Sequence, residues 1–309
     1  MEIEGQVLYG INNIYTVLGS DSKHYECRIK GKVLSLEDRA YNALAVGDYV
    51  TISVSEDKLE RGEAMIIKKH NRKNAFVRSS KKGELPQIVG ANFDIVVCVT
   101  SPVSPPFRPR FIDRVAVSLP PNTPFLIVLN KIDQGISKED LERFYYYKEL
   151  GYMVASCSTL TGEGVETVKE ILKNKISLFV GQSGVGKSSL INRLRSDIKQ
   201  RVGDISTKYN KGRHTTNYAI YFPHDQFPLI DTPGVRELDI YGIKAGDLYH
   251  YFPDLQKYQG QCKFSKCYHT SEPGCKVLEA LEAGEILEDR YISYLNIFYD
   301  LQKAQKWKS

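Results

Sequence analysis

The sequence predicts a multidomain α/β protein in three parts: an N-terminal β-barrel of OB type, a doubly wound α/β domain, and a mostly helical C-terminal module. Three observations carry this prediction. Residues 1–68 hold five short strand patterns punctuated by Gly, Asn and Asp. Residues 69–238 alternate continuous apolar runs with helical patterns, as buried parallel strands and their crossovers require. Residues 239–309 gather Cys262, Cys267 and Cys275 among short polar segments and end in one long amphipathic pattern.

The strand patterns of the first part are 6–9, 15–18, 25–29, 49–54 and 64–67, with breaks such as Gly19-Ser20-Asp21 and Gly47-Asp48. Five short strands in so short a length suit a small barrel, and the OB type leads other small barrels. In the second part, 95–99 and 125–129 are wholly apolar, 152–155, 176–180 and 227–230 follow as further strands, and 138–150 and 165–173 carry helical periodicity. In the third part, Leu287, Tyr291, Tyr294, Leu295, Phe298 and Leu301 fall on one side of a helix over 287–307.

Composition sets the outer bounds. A chain of 309 residues with 42% hydrophobic content can build two or three packed cores. No apolar run approaches the roughly 20 residues that span a bilayer. The start, Met1-Glu2-Ile3-Glu4-Gly5, has neither a basic region nor an apolar one, so the expectation is a cytoplasmic protein without signal peptide or membrane contact. Six cysteines in such a chain argue against a disulfide framework. The net charge of +5 decides little, but its placement is informative. Lys68, Lys69, Arg72, Lys73, Arg78, Lys81 and Lys82 form a run without an acidic residue. It reads as a basic linker over 69–90 or as a phosphate-facing patch.

The strongest motif is Gly181-Gln182-Ser183-Gly184-Val185-Gly186-Lys187-Ser188, with Ser189 opening the helix behind it. It fits the phosphate-loop pattern in full, between a strand and a helix start. Glycines let backbone N–H groups wrap phosphates, and the helix N-terminus adds positive field. Lys187 is expected on the β- and γ-phosphates and Ser188 on magnesium.

The base is named by Asn130-Lys131-Ile132-Asp133, at the end of strand 125–129. An aspartate carboxylate accepts from both the ring N–H and the exocyclic amine of guanine, a donor pair that adenine lacks. Asn130 is expected to tie this loop to the phosphate loop, and the stem of Lys131 to pack over the purine. Ser156-Cys157-Ser158 ends the next strand, where backbone N–H groups are expected to donate to the guanine carbonyl. A buried core cysteine at 157 is compatible with that role.

Asp231-Thr232-Pro233-Gly234 follows strand 227–230. Asp231 can hold a magnesium-bound water, and the Gly234 N–H can sense a γ-phosphate. The polar stretch 201–216 is the natural first switch, and Thr215 or Thr216 is expected to join the magnesium shell. The order is abnormal, since the guanine motif at 130 precedes the phosphate loop at 181. A circular permutation of one sheet explains it, because domain termini often lie close together. It also leads the second switch directly into the C-terminal module.

Cys262, Cys267, His269 and Cys275 offer three thiolates and one imidazole, the closed tetrahedral set of one structural zinc. A reduced cluster without metal is the bland alternative. His24, His70, His224 and His250 have no such context.

Taken in order, NKID, SCS, GQSGVGKSS, HTT, DTPG and the C-x4-C-x-H-x5-C cluster resemble the circularly permuted, small-ribosomal-subunit-dependent GTPase A family (RsgA, also called YjeQ or YloQ). The resemblance covers essentially the whole chain. It implies GTP hydrolysis to GDP in late maturation of the small (30S) subunit, stimulation by that subunit, and rRNA binding through barrel and basic segments. Position 235, where many GTPases place a water-orienting glutamine, is Val235. The expectation is slow turnover alone, with His214 as the residue that positions water. Two rivals stand beside this reading: a phosphate-loop ATPase, and an RNA-binding assembly factor that holds GTP as a structural ligand. No feature demands an oligomer, so a monomer is expected.

Overall fold

The computed structural model describes residues 1–30, 40–42, 44–55, 61–80, 85–198, 218–234 and 238–306. The first five strands are β1 (Glu2–Ile11), β2 (Ile14–Gly19), β3 (His24–Ile29), β4 (Tyr49–Ser53) and β5 (Glu63–Lys69). They close into a barrel in the order β1-β2-β3-β5-β4. Only the β3–β5 pairing is parallel. This is the five-stranded OB arrangement, and closure removes the unpaired edges that a short sheet would expose. Val17, Tyr25, Val50, Ile52 and Ile66 fill its interior.

The stretch 69–90, expected as a basic linker, contains a hairpin of β6 (Ala75–Ser79) and β7 (Pro86–Ala91). Several of its charges are structural. Arg72 makes paired bonds of 2.6 and 2.7 Å to the buried carboxylate of Asp48. Lys73 lies 2.8 Å from Asp94, and the half-buried Arg78 donates to Gln87 at 3.0 Å. A charge run read along the chain counts cations without their partners. Here the partners come from the barrel and from the start of the next domain. The hairpin is tied to the barrel where Ala91 N–H donates to the Val46 carbonyl at 2.9 Å.

The central sheet comprises β8 (Ile95–Thr100), β9 (Phe125–Leu129), β10 (Met153–Ser156), β11 (Ser177–Gly181), β12 (Ile220–Phe222) and β13 (Leu229–Asp231). Its order is β10-β9-β8-β11-β13-β12, parallel except for β12. Every residue of β8, β9 and β11 is buried, which explains their largely apolar sequences. Helices α1 (Pro109–Val117), α2 (Lys138–Glu149), α3 (Val165–Leu172) and α4 (Lys187–Leu194) accompany them. Ser137 caps α2 by accepting from the Asp140 N–H, and Glu139 and Asp140 favour the positive end of its dipole. The chain runs outward from β8 to β10, then returns to β11 on the other side of β8. That reversal opens a crevice at the carboxyl ends of β8 and β11, where such sheets bind ligands.

The C-terminal module holds a 3-10 segment (Ala245–Tyr251), α5 (Pro253–Gln256), α6 (Lys276–Glu282) and α7 (Glu288–Lys306). Its core of Leu248, Phe252, Leu255, Val277, Tyr294 and Ile297 takes in Val117 at the end of α1. A buried charge network fastens the two domains. Arg290 of α7 lies between Asp113 of α1 and Asp254 of α5, and Tyr147 of α2 donates to Asp113 at 2.6 Å. Burial alone would lower the Arg290 pKa, but the two carboxylates outweigh it and hold the guanidinium charged. Burial pushes the Asp113 carboxyl up, against the pull of Arg290. Among the described residues, no helix is long and apolar enough to cross a membrane.

Candidate active site and metal centre

The sheet brings four sequence-distant loops to the crevice. Gly181 ends β11, and the phosphate loop runs from it into α4, whose first residue is Lys187. Ser183, Ser188 and Ser189 are exposed there, whereas Gln182, Val185 and Lys187 are buried. The Lys187 ammonium pairs with the Asp231 carboxylate at the end of β13. These are the two charges that phosphate and magnesium chemistry calls for, held side by side. Thr232 pins the turn after β13 by donating its hydroxyl to the Phe179 carbonyl at 2.7 Å. Gly234 comes close to the phosphate loop: a Cβ there would lie 3.3 Å from Ser183 Cα.

Asn130 is wholly buried and joins three loops. Its Nδ2 donates to the Val185 carbonyl at 3.0 Å, so the guanine motif is tied to the phosphate loop. Its Oδ1 accepts from the Thr159 N–H at 3.1 Å and from the Cys157 thiol at 3.6 Å. The approach requires glycine at 186, where φ is +87° and a Cβ would stand 2.2 Å from Asn130 Nδ2. Lys131 has left-handed backbone, φ 66° and ψ 36°. Its ammonium donates to the Ser104 and Gly184 carbonyls, each at 2.6 Å, so its stem stretches from the guanine motif to the phosphate loop. Asp133 is exposed, and the buried Ser158 hydroxyl donates to its Oδ1.

The 156–158 loop departs from expectation in how it works. The N–H groups of Cys157 and Ser158, expected to face a guanine carbonyl, are taken by the Leu129 carbonyl at 2.8 Å and the Glu163 carbonyl at 2.9 Å. The cause is register: β10 runs parallel to β9 to its last residue, so the next N–H closes onto β9. The loop's side chains meet the guanine motif, with Cys157 against Asn130 and Ser158 against Asp133. Burial pushes the Cys157 thiol up to about 12, so it stays protonated as a weak donor. Arg193 of α4 holds the same loop through the Thr159 and Leu160 carbonyls, at 2.9 and 3.1 Å. Thr159, Arg193 and Ser104 carry no motif. Val235 and the first-switch residues His214, Thr215 and Thr216 lie outside the described residues.

The cysteine cluster is already assembled. Nδ1 of His269 lies 3.6, 3.5 and 3.4 Å from the sulfurs of Cys262, Cys267 and Cys275. Zinc bonds of about 2.0 Å to nitrogen and 2.3 Å to sulfur, across a tetrahedral angle, separate the two ligand atoms by about 3.5 Å. The donor set and its spacing therefore fit one zinc ion with no position left for substrate. His269 has φ 59°, a left-handed residue held by its loop. Glu272 closes that loop by accepting from the N–H groups of Tyr268, Thr270 and Ser271. Burial lowers the His269 pKa, which favours the neutral ring that ligates metal.

A phosphate loop, a guanine motif locked to it and a permuted sheet order define the class: a circularly permuted GTPase. The pattern of the family described as RsgA GTPase matches residues 69–241. A small ribosomal subunit biogenesis GTPase RsgA from Borreliella burgdorferi is 41% identical over 307 residues, covering 99% of this chain and 98% of that one. Among solved structures, YjeQ from Thermotoga maritima superimposes with a TM-score of 0.70 at 30% identity, over 98% of this chain and 99% of that one. YloQ, described as a circularly permuted GTPase, gives 0.67 at 26% identity, over 98% and 96%. The chain belongs to the RsgA GTPase family, and it is a hydrolase of that family.

Proposed function

We propose that this protein hydrolyses GTP to GDP and phosphate during late maturation of the small ribosomal subunit in the cytoplasm, as a monomer. The Asn130–Val185 bond carries the guanine part of this reading, because it fixes the base-recognising loop to the phosphate loop. Asp133, oriented by Ser158, accepts from the guanine N–H and amine. Cys157 and Ser158 position Asn130 and Asp133, and Ser156 opens the same base-side loop. The phosphate loop from Gly181 to Ser189 wraps the phosphates, with Lys187 on the β- and γ-groups. Ser188, Asp231 through a water, and Thr215 or Thr216 would hold magnesium, which neutralises charge on the phosphate oxygens. Gly234, beside Ser183, senses the γ-phosphate. Water attacks the γ-phosphorus as its bond to the β–γ bridging oxygen breaks. His214 positions that water, since Val235 offers no group to do so. Cys262, Cys267, His269 and Cys275 hold one structural zinc.

The small subunit is the proposed partner and activator, met through rRNA by the barrel and by basic side chains. The name of the Borreliella relative supports that choice of subunit. The test is GTP turnover with purified small and large subunits added separately. Small subunits raise wild-type turnover by at least about ten-fold, the scale of a newly completed active site, and large subunits do not. His214→Ala binds the small subunit and loses the rise. Equal stimulation by both subunits would sink the partner assignment, and full stimulation of His214→Ala would remove His214 from the mechanism.

A further inference from the structure

We propose that the loop between β8 and α1, residues 101–108, is a positioning element of the guanine pocket, with Ser101 as the side chain that sets it. The proposal rests on the guanine-pocket reading above. It starts from Lys131. A lysine ammonium on a free four-carbon stem samples many rotamers, and a stem meant to lie beside a purine must be stretched and held. Here the ammonium is held at two points, the Gly184 carbonyl of the phosphate loop and the Ser104 carbonyl, both at 2.6 Å. The first contact is internal to the nucleotide motifs. The second comes from a loop outside every motif.

The Ser104 carbonyl can act as a fixed acceptor only if its loop keeps one shape. Pro102, Pro105 and Pro106 restrict the backbone but also remove three N–H donors, so the loop has few ways to close on itself. Two bonds close it. The Ser101 hydroxyl donates to the Pro105 carbonyl at 2.8 Å, and the Phe107 N–H donates to the Pro102 carbonyl at 3.1 Å. Ser101 is wholly buried at the end of β8, so this anchor is set by the sheet. Phe107, also buried, packs edge-on against Phe144 of α2. The loop also lies alongside the phosphate loop: a Cβ on Gly184 would sit 3.5 Å from Pro105 Cδ. The chain of dependence runs from β8 through Ser101, the Pro105 turn and the Ser104 carbonyl to Lys131.

A loop that merely covers the end of the sheet would affect stability without affecting nucleotide. A positioning loop acts through Lys131, and a double-mutant cycle separates the two. GDP and GTP affinities are measured with fluorescent nucleotides, and KM and kcat in the hydrolysis assay. Ser101→Ala is expected to weaken GDP and GTP alike by about ten-fold, raising KM while kcat holds. In a Lys131→Ala background the same substitution is expected to change affinity by less than about two-fold. Should Ser101→Ala not fold, Pro105→Gly, which loosens the loop from its outer side, carries the same pair of expectations. Unchanged affinity in the single variant overturns the proposal, as does an equal loss in both backgrounds. Failure of the wild type to prefer guanine nucleotides would instead overturn the pocket reading on which it rests.

Discussion

Asn130 and Asp133 sit three residues apart and do opposite things. Asn130 is buried with both ends of its amide engaged, whereas Asp133 is exposed with one oxygen held by Ser158. In the proposed pocket the first ties the loops together and the second is assigned to read the base. Replacing the Asp133 carboxylate by an amide swaps an acceptor for a donor, which suits the C2 carbonyl of xanthine and not the amine of guanine. Asp133→Asn is expected to lose about 100-fold in GTP affinity and to gain xanthosine triphosphate binding, read by competition. An unaltered preference for GTP would reject Asp133 as the reader. Both residues were legible in the sequence, because a motif at a strand end has a fixed place in such a sheet. Thr159 and Arg193 were not. Their roles depend on which loop α4 meets across the crevice.

At the scale of elements, α7 shows how a buried charge can fasten a domain. Its apolar stripe contains Arg290, and the apolar face of α1 contains Asp113; each is a charge where the pattern calls for a hydrophobe. That misfit is the sequence signal for the network, but neither residue identifies its partner. Truncating Arg290 leaves Asp113 and Asp254 buried without their cation. Arg290→Met is expected to cost about 3–5 kcal/mol in urea unfolding. Asp300→Asn takes an exposed carboxylate from the buried Arg114, which keeps its bond to the Leu238 carbonyl, and is expected to cost less, about 1–2 kcal/mol. Equal losses would show that the network does not fasten the domains. The hairpin at 75–91 makes a related point: Arg72 read as linker charge until Asp48 supplied its partner.

Across the whole molecule, six thiols fall into two kinds. Cys27, Cys98 and Cys157 are wholly buried in the barrel and the central domain, and burial pushes all three up, Cys27 and Cys157 to about 12. Such thiols are inert while the fold holds. Cys262, Cys267 and Cys275 stand around His269 with zinc spacing. The folded, zinc-loaded protein is therefore expected to react with none of its thiols at neutral pH. Chelation is expected to release one zinc and expose three reactive thiols, with the remaining three appearing only on unfolding. A thiol count that chelation leaves unchanged would reject the zinc centre.

The sequence by itself determined the five barrel strands, the main parallel strands, the permuted arrangement of the nucleotide motifs, the four members of the cysteine–histidine cluster and the family, but not the β6–β7 hairpin, α1 or β12. These are local patterns: runs of buried strand residues, glycine-rich turns, and ligands within fourteen positions of one another along the chain (262–275). Only the tertiary structure decided how the pocket is held. It showed that the side chains of the loop after β10 bond Asn130 and Asp133, that Lys131 is shared with a loop outside the motifs, and that Arg290 joins two domains. The physical reason is common to all three. A hydrogen bond or ion pair is made between partners, and a one-dimensional pattern shows one partner at a time.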